Sequence, residues 1–205
     1  MSTANTNVEI VRCTWPGIEH PEYMLYHDTE WGVPTSDSQI LFEKLILEGF
    51  QAGLSWLTIL RKRDTFRAAF DQFDATKIVR YTDADRARLM ADAGIIRNRL
   101  KIDATIDNAK AYLKLQETRD LGALLWDVFD GKPQINTHAA HGDVPPVTDA
   151  SIKISKMLKA EGFRFVGPTT MQAFLQAMGF VNDHLVGCHR HAACAKLQKA
   201  FKAPH

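Results

Sequence analysis

One acidic residue stands out because of where a helical pattern would place it. In the stretch SQILFEKLILEGF, Leu41 and Leu45 recur at helical spacing, and Glu48 falls within the same apolar face. A carboxylate on a buried face must be paired, hydrogen-bonded or protonated. Glu48 is therefore either a structural carboxylate at a helix end or an acid or recognition group of a site. Trp56 is either a core residue or a wall of that site, and the aromatic ends of YHDTEW, residues 26–31, allow the same two interpretations.

Cysteine and histidine residues at the two ends of the chain form a candidate metal site. His184 and Cys188 are four residues apart, so one helical face can present both, and Cys13 and His27 lie near the other end. Two cysteines and two histidines would make a closed tetrahedral zinc site. The spacing matches no compact zinc finger, so a terminal cluster of reduced thiols remains the alternative. Three further residues are competing ligands: His189, His191 and Cys194.

The stretch DAGIIRNR, residues 92–99, lies between a charged helical segment and an amphipathic one. This order predicts a helix, a tight hairpin and a second helix. We expect Gly94 to supply permissive backbone dihedrals, and free N–H groups at the start of the second helix to hold a phosphate. Arg97 and Arg99 would add positive charge. Because Ile96 replaces the second glycine usual in such hairpins, an ordinary corner between two helices remains the alternative.

The stretch EGFRFVGPTT, residues 161–170, predicts a second helix start. Pro168 is well placed as the first helical residue after a turn at Gly167. The exposed amides of this start, around Thr169, would face a phosphate or a pocket. A plain helix-start turn is the alternative.

The pattern around these motifs is helical. Asp37 is a candidate N-cap for the helix that carries Glu48, and residues 102–113 have apolar residues at the spacing of an amphipathic helix. We predict helices at residues 38–50, which carry Glu48, and at residues 51–63, 64–73, 83–92, 151–160 and 169–178. Residues 163–166 suit a loop or a strand, and the proline-containing residues 131–148 predict a long connection of the kind that often carries function. The fold is predicted to be all-α, with about eight to ten helices.

Composition and charge narrow the function classes. The 205 residues are 45% hydrophobic and carry a net charge of +1, which suits a globular protein and disfavours a purely electrostatic DNA binder. No apolar run approaches the ~20 residues that span a bilayer, and residues 1–10 lack signal-peptide order, so we expect a cytoplasmic protein without a membrane partner. Three cysteines argue against a disulfide framework. Two basic clusters, at residues 61–67 and 97–101, are either solvated helix faces or local phosphate-binding groups.

Together these motifs resemble those of the bacterial 3-methyladenine DNA glycosylase I family, within the helix-hairpin-helix glycosylase superfamily. The matching stretches occur in the family's order: CTW (13–15), YHDTEWGVP (26–34), LFEKLILEGFQAGLSW (41–56), DAGIIRNRLKI (92–102), GFRFVGPTT (162–170) and GFVNDHLVGC (179–188). They span nearly the whole chain, and several are too long to arise by chance. Phe50 departs from the usual choice within its stretch.

The resemblance implies an all-α, helix-hairpin-helix DNA glycosylase fold with a zinc clip that joins the N- and C-terminal segments. Residues 1–12 would be a frayed or disordered lead-in, residues 13–188 a single glycosylase domain with two lobes, and residues 189–205 a C-terminal tail. One structural zinc ion is implied, because four protein ligands leave no position for a reactive water. Its ligands would be Cys13, His27, His184 and Cys188. Asp28 and Asp183, each next to a ligand histidine, are candidates to orient those rings.

The implied activity is hydrolytic excision of 3-methyladenine from double-stranded DNA, after the base is flipped into a pocket. The products would be free 3-methyladenine and an abasic site. By resemblance, Glu48 and Tyr26 hydrogen-bond the base, Trp56 stacks on it and Trp31 helps to line the pocket. 3-Methyladenine in DNA is cationic, so a carboxylate and an aromatic face favour it over neutral adenine. Glu48 would thus be a recognition residue first and an electrostatic contributor to catalysis second.

The implied reaction requires few catalytic groups from the protein. Departure neutralises the cationic base, so no general acid is needed, and no aspartate that would stabilise the sugar cation is evident. Arg97 and Asn98 follow the hairpin where a lysine nucleophile would be expected, which predicts hydrolysis without strand cleavage. Contacts with the DNA backbone are expected from Gly94, Ile96, Arg97, Arg99, Gly167 and Thr169. We expect a monomer; the alternatives are a zinc-stabilised DNA-binding module without catalysis and, more distantly, a catalytic zinc hydrolase.

Overall fold

The computed structural model describes residues 10–204, so most of the predicted lead-in at residues 1–12 lies outside the described residues. The described part contains eleven α-helices: α1 (Pro21–Thr29), α2 (Ser38–Gln51), α3 (Trp56–Leu60), α4 (Arg63–Ala69), α5 (Ala75–Ile78), α6 (Asp83–Ala91), α7 (Arg99–Gln116), α8 (Leu121–Trp126), α9 (Asp149–Ala160), α10 (Pro168–Ala177) and α11 (His189–Ala200). Short 3₁₀ helices occur at Asp71–Phe73, Asp127–Phe129 and His141–Asp143. Two strands, β1 (Gln134–Ile135) and β2 (Val181–Asn182), pair in parallel. The all-α prediction is confirmed.

Helix α2 is the central element because its apolar face is buried along its length. The Asp37 side chain accepts hydrogen bonds from the backbone N–H groups of Gln39 and Ile40, which confirms the predicted N-cap. The helix packs against α3, α7, α8 and α10, and its Leu41 and Leu45 are buried. Glu48 therefore projects from a helix that the core holds on several sides.

Two predicted helices are interrupted. Residues 51–63 were predicted to form one helix. Instead, α2 ends at Gln51, the chain turns, and α3 begins at Trp56. The Ser55 hydroxyl caps α3 by accepting a hydrogen bond from the N–H of Thr58. Gly53 in this turn has a φ of +82°, a conformation that a glycine adopts without strain. The segment predicted at residues 64–73 likewise ends as α4 at Ala69 and continues as a 3₁₀ turn. Residues 163–166 form a loop rather than a strand.

The long connection at residues 131–148 is hydrogen-bonded to the C-terminal part of the chain. Strand β1 within it pairs with β2, which follows α10. Gly179, just before β2, has a φ of +70°, and a Cβ there would lie 2.4 Å from the backbone nitrogen of Pro34. This position therefore requires glycine. As a result, the α1–α2 loop, the end of α10 and the long connection meet at one place.

Residues 189–205, set apart above as a tail, include helix α11. Its Cys194 and Gln198 are buried, and the Gln198 amide donates hydrogen bonds to the carbonyl oxygens of Gly32 and Gly179. The division into lead-in, domain and tail stays a prediction. Among the described helices, none combines the length and apolar character that crossing a bilayer requires.

Candidate functional site

A cavity of about 310 Å³ opens between α1, α2, α3 and α10. Five aromatic side chains line it: Trp15, Tyr23, Tyr26, Trp31 and Trp56. Glu48, Gln51, His141 and Gln176 supply polar groups. Among the described residues that line the cavity, Glu48 is the one carboxylate, and it is only 3% exposed. The four residues predicted to bind a base, Tyr26, Trp31, Glu48 and Trp56, are therefore brought together around one space.

Glu48 does not stand alone, because Lys44 lies one helical turn before it on α2. The Lys44 Nζ is 2.9 Å from the Glu48 Oε1, and both side chains are buried. The same ammonium donates a hydrogen bond of 2.9 Å to the Tyr26 hydroxyl. Burial lowers the pKa of Lys44, and the ion pair with Glu48 opposes that shift. The carboxylate is thus paired as its position demands.

Trp56 is held at the cavity by contacts on several sides. The Lys44 Nζ lies 3.2 Å from the centroid of its ring, and the Tyr26 ring lies 5.4 Å away at a tilt of 41°. The indole N–H of Trp56 is buried and has no hydrogen-bond partner among the described residues. A buried donor without a partner is unfavourable, so this group is available to a polar atom that enters the cavity.

Several residues of the cavity were missed by the sequence reasoning. Trp15 lies two residues after Cys13 within the CTW motif, and Tyr23 lies three residues before Tyr26 on the same face of α1. Those spacings were signals that could have found both. Gln176 in the cavity and Lys44 next to it had no comparable signal, since polar residues on helices are usually solvated.

The four predicted metal ligands converge on one buried point. One ligand atom from each of Cys13, His27, His184 and Cys188 lies within 4.8 Å of the others. All four side chains are buried. The competing candidates lie outside this group, since the Nδ1 of His189 contacts the Val11 carbonyl oxygen and the Nε2 of His191 contacts that of Asn136. Cys194 is likewise not part of it.

In His27 and His184, the ring nitrogen that points away from the four-residue group has an oxygen partner, which sets the tautomer of the ring. His27 donates from Nδ1 to the Asp28 carboxylate at 2.7 Å, and Asp28 is itself held by Arg12. His184 donates from Nε2 to the Trp31 carbonyl oxygen at 3.1 Å. The inner nitrogens therefore present lone pairs to the centre of the group, as a metal requires. Asp28 occupies the predicted supporting position. Asp183 does not contact the His184 ring.

The two thiols of this group cannot both ionise unaided. The hydrogen bond with Cys13 lowers the pKa of Cys188, and the same hydrogen bond together with burial raises the pKa of Cys13. Two buried thiolates in contact would repel each other strongly unless a cation lay between them. The donor set of two sulfurs and two ring nitrogens fits a tetrahedral metal ion.

The hairpin between α6 and α7 corrects one prediction. Gly94 does not have a positive φ, so it is not needed there for its dihedrals. It is needed for close approach, because a Cβ would lie 2.9 Å from the Asp92 Oδ1 and 3.1 Å from the Thr65 Cβ. Its N–H is also engaged, donating to the Asp92 Oδ1 at 2.7 Å. The backbone N–H groups of Ile96 and Arg97 make no hydrogen bond to the described residues and remain available.

The basic residues of the two clusters differ in what they contact. Arg97 is exposed, and Arg99 is exposed but paired with Asp103 on the next turn of α7. Lys101 is buried, and its Nζ donates to the carbonyl oxygens of Phe50 and Ala52 at 2.7 Å each, so it caps the C-terminus of α2.

The arginines of the cluster at residues 61–67 form ion pairs within the protein. They pair with acidic residues of α1, α2 and α4 and with the residue that follows α1: Arg61 with Glu22, Arg63 with Glu30, and Arg67 with Glu43 and Asp64.

The start of α10 lies beside the cavity. Pro168 is the first residue of this helix, as predicted, and Gly167 is its N-cap. Thr169 lines a neighbouring cavity of about 190 Å³ together with Glu48 and the turn at residues 52–54. Leu54 in that turn is 41% exposed although it is apolar. The helix start, the turn and the cavity rim therefore share one surface.

The sequence and the fold of this chain have counterparts among known proteins. The model of the methyladenine glycosylase family matches residues 15–191. DNA-3-methyladenine glycosylase 1 of Escherichia coli (strain K12) is 48% identical over 178 residues, covering 86% of this chain and 95% of the relative. The chain belongs to the methyladenine glycosylase family. A second member, the DNA-3-methyladenine glycosylase of Haemophilus influenzae, is 47% identical over 86% of this chain and 96% of its own length.

Solved structures of this family share the fold. A crystal structure of a 3-methyladenine DNA glycosylase I superposes with a TM-score of 0.85 at 47% identity, covering 87% of this chain and 98% of the other. The Staphylococcus aureus enzyme, described for its recognition of 3-methyladenine, has a TM-score of 0.81 at 40% identity over 83% of this chain and 92% of its own. A variant 3-methyladenine DNA glycosylase I in complex with 3-methyladenine has a TM-score of 0.80 at 39% identity.

Proposed function

We propose that this protein is a DNA-3-methyladenine glycosylase that hydrolyses the bond between the damaged base and its sugar. The observation that carries the proposal is the aromatic cavity with Glu48 as its buried carboxylate. A volume of about 310 Å³ suits a single methylated purine flipped out of a duplex. The names of the relatives and the bound 3-methyladenine of one structural neighbour support the same substrate.

Each polar group of the cavity has a role that its contacts favour. The Tyr26 hydroxyl accepts a hydrogen bond from Lys44, so its own proton is free for an acceptor nitrogen of the base. Burial raises the pKa of Tyr26, which keeps it a donor. The Glu48 carboxylate would accept a hydrogen bond from the exocyclic amine of 3-methyladenine. Trp56 would stack on the base, with Trp31 completing the wall.

The reaction needs little acid–base chemistry. The bond between N9 of the base and C1′ of the sugar breaks, and its electron pair neutralises the base as it leaves. Water then adds to C1′ and gives its proton to solvent, leaving an abasic site. Glu48 would contribute by favouring positive charge in a desolvated site rather than by transferring a proton.

We propose that the enzyme does not cleave the strand. Strand cleavage by a glycosylase requires an amine that attacks C1′. Among the described residues that line the cavity there is no lysine. The nearest, Lys44, is held by Glu48 and Tyr26 behind the Trp56 ring.

Duplex DNA would dock on the surface that contains the cavity rim. The available amides of Ile96 and Arg97 and the start of α10 at Gly167 and Thr169 would hold phosphates. Gly94 would act by shaping the hairpin, and Arg99 by its charge. We expect the base-flipped state to leave a gap that an exposed apolar group can fill, and Leu54 stands at the rim.

We propose that the metal ion of the four-residue group is a single zinc ion with a structural role. The donor set of Cys13, His27, His184 and Cys188 is typical of zinc, and the buried, four-ligand arrangement favours a closed site. Zinc would cross-link the two ends of the described chain. A closed site disfavours a zinc hydrolase.

A base-release assay on methylated DNA tests the proposal. Wild-type protein is expected to release 3-methyladenine, identified by chromatography, and to leave alkali-sensitive but uncut strands. Glu48→Gln should reduce the rate by at least about tenfold. Glu43→Gln is the matched control, because Glu43 lies on the same helix but outside the cavity. Wild-type protein that binds the DNA yet releases no methylated base would support a DNA-binding module instead.

A further inference from the structure

Lys44 is a buried cation at the candidate base site that the proposed chemistry does not use. Its side chain is only 7% exposed, and it contacts three residues assigned to the base: Glu48, Tyr26 and Trp56. Burying an ion pair costs desolvation energy that an apolar pair would avoid. A lysine at this position therefore calls for an explanation in terms of the site.

The ammonium lies on the side of Trp56 that faces away from the cavity. Tyr26 and Trp56 line both the 310 Å³ cavity and a smaller neighbouring one of 80 Å³, whereas Lys44 lines only the smaller one. The indole thus separates the ammonium from the cavity. Since the Nζ is 3.2 Å from the ring centroid, a base stacked on the opposite face would lie roughly 7 Å from it.

This placement changes the electrostatics of the cavity. An isolated Glu48 would give the site a charge of −1, but its ion pair with Lys44 is neutral. The ammonium also repels a cation on the far face of the ring and already occupies one π face of Trp56. The attraction for a positively charged base is therefore weaker than the aromatic wall and carboxylate would produce without Lys44.

We propose that Lys44 sets the charge selectivity of the cavity by weakening its affinity for a cationic base relative to a neutral one. The proposal rests on the proposed function, because it concerns the base that the cavity holds. Before the bond to the sugar breaks, the methylated base is cationic; as it breaks, the charge moves to the sugar and the base becomes neutral. Lys44 thus destabilises the bound substrate more than the transition state or the neutral base.

The binding of two ligands tests this. Free 3-methyladenine is neutral, and 3,9-dimethyladeninium carries the charge that the base has in DNA. The ratio of their dissociation constants, neutral over cationic, should rise by at least about fivefold in Lys44→Met, since Coulomb's law at this separation allows an effect on the order of tenfold. Lys114→Met, an exposed position on α7, is the matched control and should leave the ratio unchanged. A rise below fivefold, or a fall, would overturn the proposal.

A second comparison keeps the test valid if Lys44→Met does not fold, since that change leaves Glu48 buried and unpaired. The same ratio is compared between Glu48→Gln and the double variant Lys44→Met/Glu48→Gln, which lacks both charges. It should again rise by at least about fivefold on loss of the lysine. Wild-type protein that binds neither ligand would refute the proposed function itself. Wild-type protein that binds both, with no such rise in either comparison, would refute only the role of Lys44.

Steady-state kinetics on methylated DNA give a readout that a merely structural role would not produce. Loss of ground-state destabilisation lowers KM and kcat together. We expect both to fall by at least about threefold in Lys44→Met. A higher KM with a lower kcat would contradict the proposal, because it would indicate a damaged site.

Discussion

Trp31 contacts His184 twice, and these contacts join the metal-ligand group to the cavity. Its ring packs edge-on against the imidazole with the centroids 4.5 Å apart, and its carbonyl oxygen accepts the hydrogen bond from the His184 Nε2. Trp31 also lines the cavity. Because one residue belongs to both places, we expect disruption of the group to be transmitted to the base site.

Removal of the metal should therefore affect stability and base binding together. Cys188→Ala, or treatment with a strong chelator, is expected to lower Tm by at least about 10 °C, because a structural metal contributes several kcal/mol to folding. Affinity for 3-methyladenine should fall in parallel. Elemental analysis, thermal unfolding and base titration measure the three quantities.

Cys194→Ala is the matched control for this experiment. Cys194 is also buried but lies outside the four-residue group, so its loss should leave the metal content intact. A Cys188→Ala protein with an unchanged metal content and Tm would contradict the structural role.

Asp28 should tune the metal affinity through His27. Its carboxylate holds the His27 Nδ1 at 2.7 Å, and Asp28→Asn would weaken that contact and the orientation of the ring. We expect a loss of metal affinity of about 10–100-fold, measured by competition with a chromophoric chelator. Asp64→Asn, at a carboxylate whose side chain is 94% exposed, is the control. Equal affinities in the two variants would show that Asp28 does not support the site.

These relationships show what the sequence could and could not predict. Glu48 could be found because a charge on an apolar helix face violates the expected pattern. Lys44, its partner one turn earlier, could not, because a lysine on a helix is ordinarily solvated and nothing in its spacing indicates that it turns inward. Lys101 shows the same limit: it was grouped with solvated or phosphate-binding residues, yet its ammonium caps α2.

The fold, too, could be predicted from the sequence only in part. Periodicity predicted the main helices because the buried face repeats every turn. It separated the helices at residues 50 and 51, whereas the turn lies at residues 52–54, because this turn is short and lies between two apolar helical stretches. Gly94 was assigned permissive dihedrals, whereas the structure requires it for close contact with Thr65. A glycine in sequence does not reveal which of the two properties is used.

The side chain of Arg97 should contribute to DNA binding through its charge. It is exposed beside available backbone amides at the hairpin, so Arg97→Ala should reduce the magnitude of the negative slope of log K against log salt concentration by about 1. Affinity for free 3-methyladenine should not change. Arg80→Ala, at another exposed arginine, is the control. An unchanged salt slope, measured by fluorescence anisotropy, would exclude the Arg97 side chain from the phosphate contacts.

Gln176 should favour a base that carries an exocyclic amine. Its amide nitrogen donates to the buried Asp183 carboxylate at 2.9 Å, which fixes the orientation of the amide and leaves its carbonyl oxygen to the cavity that it lines. An acceptor at this place suits the amine of 3-methyladenine and opposes the carbonyl of 3-methylhypoxanthine. Gln176→Leu should therefore weaken 3-methyladenine binding by about fivefold, the effect of one hydrogen bond. Affinity for 3-methylhypoxanthine should be unchanged or higher, and calorimetric titration with both ligands would reveal an equal loss if Gln176 only packed against the base.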